Sequence, residues 1–147
     1  MKRINAFLLA FLVLTAGSYG QSYSRTGLGI RSATDSIGIE IQFFSPSIVR
    51  VLKWPEGKTF DKESLSVIMT PQKTDFAVKQ KGNLLIISSN KIQVSLNLNN
   101  GQISFMTSKS GLLLGEKEAG ARFIGFNDAG AETFNVHQAF VLDKDEA

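Results

Sequence analysis

At 147 residues the chain has room for one domain with a single core. Hydrophobic residues make up 43% and charged residues 20%, a balance that excludes a disordered or collagen-like chain. The formal charge is only +3 and the basic residues are mixed with acids. No stripe for a phosphate backbone results, and nucleic acid is not an expected partner.

The chain opens with Lys2 and Arg3, followed by an apolar run from Ala6 to Thr15 and the small-residue zone Ala16-Gly17-Ser18-Tyr19-Gly20. This is the layout of a secretory signal peptide, with cleavage expected after Gly20. The run is too short for a bilayer-spanning helix, which needs about 20 apolar residues. Residues 1–20 therefore read as a signal, and the mature product is expected to be periplasmic or secreted, with no membrane attachment after cleavage. The sequence contains no cysteine, so a lipidated cysteine, a disulfide and a thiolate metal site are all excluded.

Residues 21–35 are rich in Ser, Gly, Arg and Thr and read as a flexible lead-in. The folded domain is expected over 36–147. Ile37, Ile39, Ile41 and Phe43 alternate with Gly38, Glu40 and Gln42, the period of a strand with one buried face. A second strand starts at Ile48 and stops at Trp54-Pro55-Glu56-Gly57. Leu65, Val67 and Met69 suggest a third, and Phe76 with Val78 a fourth. Lys81-Gly82-Asn83 reads as a hairpin turn into Leu84 to Ile87. Ile92, Val94, Leu96 and Leu98 give the clearest alternation, followed by Asn100-Gly101, for which a type I′ turn is expected. Ile103 and Phe105 return from it, Lys109-Ser110-Gly111 turns again into Leu112 to Leu114, and Gly111 to Gly130 otherwise reads as turns and loop. A last strand runs through Phe134 and Val136 to Phe140 and Leu142. Short strands, frequent turns and no sustained helical period predict an all-β, antiparallel sandwich.

Few residues offer chemistry. His137 is the only histidine and no Gly-x-Ser-x-Gly elbow accompanies it, so it reads as an ordinary strand residue. Asp143, Asp145 and Glu146 alternate at the end but lack the glycine and further oxygens of a calcium loop. The remaining acids are scattered over strand ends and turns, with no sign of the paired carboxylates that glycoside hydrolysis needs. No catalytic, cofactor or metal residue is assigned. Trp54, beside Pro55, is the one candidate for stacking on a sugar ring, against the plainer alternative of packing at the domain's rim.

Several segments resemble the N-terminal domain of glycoside hydrolase family 31, the α-glucosidases and α-xylosidases. They are Ile41 to Val51 (IQFFSPSIVRV), Ile92 to Leu96, Gly101 to Phe105, Gly111 to Glu116 and Gln138 to Ala147. The resemblance covers about Ser36 to Ala147 and implies a galactose-mutarotase-like β-sandwich that packs on a catalytic barrel. It implies a retaining mechanism whose aspartate nucleophile and acid/base sit in that barrel, where α-linked glycans would bind. No position here matches those residues, so none is carried over. The family's Tyr-Gly-Leu-Gly motif is expected just after Ala147, so the sandwich is expected to lack its later strands. The rival expectation is a free-standing carbohydrate-binding or structural sandwich.

Overall fold

The computed structural model describes residues 23–34, 36–60, 64–118 and 120–142. The segment read as a signal and the acidic cluster at 143–146 lie outside them. Among the described residues every regular element is a strand, and all pairings are antiparallel.

Sheet A is a meander of β1 (Tyr23–Arg25), β2 (Gly29–Ala33), β3 (Ile37–Ser45) and β4 (Ile48–Pro55). Sheet B takes β5 (Ala77–Lys81), β6 (Leu84–Ser88), β7 (Ile92–Asn97), β8 (Ile103–Thr107), β9 (Leu112–Glu116) and β12 (Phe140–Leu142), each beside the next. Between β9 and β12 the chain makes a separate hairpin of β10 (Arg122–Asp128) and β11 (Ala131–His137). The expected β-sandwich is thus present as two sheets that share one core.

That core follows from strand alternation. Ile30, Ile39, Ile41 and Phe43 of sheet A are fully buried, as are Leu85, Ile87, Val94 and Leu96 of sheet B. Register lines the apolar positions up across strands: Leu85 lies opposite Leu96, which lies opposite Ile103, and Ile87 opposite Val94, which lies opposite Phe105. Phe43 also stacks on Phe76, with centroids 5.7 Å apart and planes 4° from parallel.

Five expectations need correction. The lead-in carries β1 and β2, and Ile30 contributes to the core, so the folded unit begins ahead of Ser36. Leu65, Val67 and Met69 form no strand, and Leu65 and Ile68 stand in solvent. The stretch read as turns and loop after Leu114 contains the end of β9 and all of β10, while the single last strand is two, β11 and β12, paired to different partners.

The fifth concerns turns. At Asn97–Gly101 only Gly101 takes a positive φ (71°), and Gly101 N–H donates to Asn97 O at 2.8 Å, closing a longer loop than a two-residue turn. Positive φ at both central positions occurs instead at Ala129 (49°) and Gly130 (90°), between the paired Asp128 and Ala131. Asn127 steadies that turn by accepting from Gly130 N–H through Oδ1 at 2.8 Å.

The flank formed by β9, β12 and the β10–β11 hairpin exposes many large apolar side chains, among them Ile124, Phe126, Val136, Phe140 and Leu142.

Candidate functional site

Two places gather polar side chains. The first lies between the sheets. Counting along β4, Val49, Val51 and Lys53 face inward, with Lys53 opposite the fully buried Ile39. A lysine pointed at a core needs a partner, because an uncompensated ammonium in low dielectric is heavily penalised. Glu116, at the end of β9 in the other sheet, supplies it. Lys53 Nζ donates to both Glu116 carboxylate oxygens, at 2.5 and 2.6 Å, and to Gly101 O at 2.9 Å. The two side chains are 6% and 3% exposed.

The carboxylate is tied further. Glu116 Oε2 accepts from Ile103 N–H at 2.6 Å, and Oε1 accepts from Gln138 Nε2. Gln102 Nε2 donates to Glu116 O at 2.7 Å. Burial pulls the Lys53 ammonium below its ordinary value, and the hydrogen bond and charge of Glu116 oppose that pull. This polar knot closes one end of a cavity of about 430 Å³ whose other walls include Val51, Phe105, Leu114, Phe123 and Phe140. Chemically the knot is occupied with itself. All three ammonium protons have acceptors and both carboxylate oxygens have donors, so it locks β4 to β9 and offers no group to a substrate.

The second place is the outer face of sheet A, where Trp54 sits. Its ring does not stand free at a turn, as the sequence suggested. Trp54 belongs to β4, opposite Gly38 of β3, and is half-buried. The indole lies against Gly38 so closely that a Cβ there would fall 2.3 Å from Cε2 and Nε1, which explains glycine at this position. Arg31 of β2 holds its guanidinium 5.9 Å from the ring centroid. Arg31 is itself anchored on Glu40 Oε2, by Nη2 at 2.7 Å and Nε at 3.3 Å. A surface cleft of about 390 Å³ runs beside the indole, lined also by Ser24, Arg31, Ala33 and Glu56.

Burial raises the Glu40 carboxyl, but hydrogen bonds from Arg31 and Gln42 and the charges of Arg31 and Arg50 outweigh it and hold the group below its ordinary 4.5. Stability from a depressed carboxyl is complete above the unfolded value and is lost as pH falls through the folded one. The wild-type chain is therefore expected to lose more stability below pH 4.5 than Glu40→Gln does. The difference should be about 1 kcal/mol at most, because Arg31 is open to solvent. Urea unfolding across acid pH measures it.

Neither cavity brings two acids together. Among the described residues Glu116 is the one carboxylate lining the first and Glu56 the one lining the second. His137 ends β11 on the surface, opposite Arg122. Among the described residues no three or more His, Asp or Glu cluster to hold a metal ion.

Residues 38–147 match the family model of the glycosyl hydrolase 31 N-terminal galactose mutarotase-like domain. The chain belongs to this family. An α-xylosidase of Saccharolobus solfataricus is 30% identical over 112 residues, which are 76% of this chain and 15% of the relative. The crystal structure of a glycoside hydrolase family 31 α-xylosidase from Xanthomonas citri superposes with a TM-score of 0.73 at 23% identity, over 83% of this chain and 14% of that one. At that identity the likeness establishes the fold. The chain thus spans about a seventh of the length of the enzymes it resembles.

The sequence had not singled out Lys53 and Glu116. A signal existed, since Lys53 falls in the inward phase of Val49 and Val51. Its partner is 63 residues away in another sheet, and no local pattern pairs them.

Proposed function

We propose that this domain is the non-catalytic N-terminal part of an exported α-glucosidase- or α-xylosidase-type glycoside hydrolase, which supports the catalytic barrel and edges its sugar pocket. The observation that carries the reading is the family match over 38–147. The apolar flank around β12 and the β10–β11 hairpin suits packing against further protein, and a lone carboxylate in each cavity suits a scaffold better than a glycosidase site. The chemistry would belong to the barrel, with a retaining mechanism and α-linked glycans as substrates. The test compares turnover of a chromogenic α-glycoside by this chain with turnover by the polypeptide encoded when reading continues past the Ala147 codon.

Export follows from Lys2, Arg3, the apolar run and the Ser18-Tyr19-Gly20 order. Mass spectrometry of periplasmic or secreted material is expected to find Gln21 as the first residue, in open or cyclised form. A membrane-embedded product that retains Met1 would overturn this.

A second reading, a free-standing glycan-binding module, is favoured by the cleft beside Trp54.

A further inference from the structure

We propose that the cleft on the outer face of sheet A is a surface subsite for one pyranose unit of an α-linked glycan. The proposal rests on the glycoside hydrolase reading for its ligand class, and on the geometry of three side chains for its place.

Strand register puts Ser24, Arg31, Ala33, Gly38 and Trp54 on one face. Ser24 lies opposite Arg31 across β1–β2, Ala33 opposite Gly38 across β2–β3, and Gly38 opposite Trp54 across β3–β4. Ala33 and Gly38 are small, so a shallow trough remains beside the indole. Gly38 lets the ring lie flush on the sheet and so fixes its orientation. The part of this pre-oriented ring that neither Gly38 nor the Arg31 guanidinium covers is what the apolar face of a pyranose would stack on, and the ordering cost of binding is already met by the fold.

The rim supplies groups for the sugar hydroxyls. A guanidinium has five N–H donors, and Glu40 engages only Arg31 Nε and Nη2. The Arg31 side chain is 56% exposed and lines the cleft, so its remaining donors are open to a ligand there. Glu56, exposed just beyond the end of β4, adds a carboxylate acceptor, and Ser24 a hydroxyl. A donor fork, an acceptor and a stacking floor around about 390 Å³ match a single sugar residue, at the lower end of the roughly 300–1,000 Å³ of small-molecule sites. A neutral, hydroxyl-rich ligand fits better than an anion or cation, because the rim carries one charge of each sign.

Trp54 is the only tryptophan in the chain, so its fluorescence reports on this cleft alone. The full chain is titrated with a linear α-glucan oligosaccharide and, separately, with a xylose-branched oligosaccharide. A saturable change in Trp54 emission is expected with at least one of them. Glu56→Ala, at an exposed position where folding is not at stake, is expected to weaken it about tenfold, the loss of one charge-assisted hydrogen bond. Arg31→Lys, which keeps the charge but not the fork, is expected to weaken it as well. No change with either glycan would overturn the subsite, as would a change that both variants leave untouched. If the titration is silent while the longer polypeptide hydrolyses α-glycosides, the subsite alone falls. If it saturates and the longer polypeptide lacks that activity, the enzyme-domain reading falls and the chain stands as a glycan-binding module.

Discussion

Lys53→Met is expected to destabilise the domain by about 3–5 kcal/mol, and Glu116→Gln by a similar amount, because each leaves the other charge buried without its counter-ion. Both side chains are almost wholly buried, so the charge left behind is largely shielded from bulk solvent. Since a domain is stable by only about 5–15 kcal/mol, either change should use up much of the margin. The double variant is expected to cost clearly less than the sum of the singles, because removing both charges removes the desolvation penalty as well. Urea unfolding followed by Trp54, the neighbour of Lys53 in β4, measures all three. Single losses below about 1 kcal/mol that simply add would mean that the pair is not buried as described.

Phe43→Ala should cost a comparable amount, about 3–5 kcal/mol, for a different reason. Phe43 is fully buried and stacks on Phe76 just ahead of β5, so truncation opens a cavity between the sheets and deletes an aromatic pair. The control is Ile68→Ala, in the segment before β5. Ile68 is 94% exposed, and its loss is expected to fall within about 0.5 kcal/mol of zero. The contrast matters because the two residues are equally apolar to a sequence reader and differ only in what the fold places over them.

That difference explains how far the sequence could be read. β3 and β7 were legible because Ile37 to Phe43 and Ile92 to Leu96 keep strict alternation and bury the apolar phase. Leu65, Val67 and Met69 alternate too, yet no strand pairs with them, and alternation without a partner makes no strand. β1 and β2 were missed because they are three and five residues long with little apolar content. Their order comes from pairing β2 onto β3 and β1 onto β2, with Ile30 buried in the core and Tyr23 packed against it. β10 escaped because Gly125 interrupts it and both its faces are largely open, so Phe123, Ile124 and Phe126 show no clean phase. The Asn100-Gly101 turn was misjudged because Lys53 reaches across from sheet A to Gly101 O, in a loop that also packs against Ile37.

The candidate site divides the same way. Trp54 could be picked out as an aromatic at a strand end, but its support could not. Gly38, Arg31 and Ala33 come from two other strands, one of them in the stretch read as a lead-in, and only register assembles them. The knot of Lys53, Glu116 and Gln138 likewise joins β4, β9 and the link between β11 and β12. Family membership was legible from short segments in the right order, whereas the two polar assemblies needed the sheets.

The central claim is that this sandwich serves a glycoside hydrolase without performing its chemistry. Turnover of a chromogenic α-glucoside and α-xyloside by the purified chain, set beside the longer polypeptide, tests it most directly. The account predicts no hydrolysis by the chain above a mock preparation, and steady hydrolysis by the longer product. Steady turnover by the chain alone, surviving repurification and absent from the mock, would contradict it.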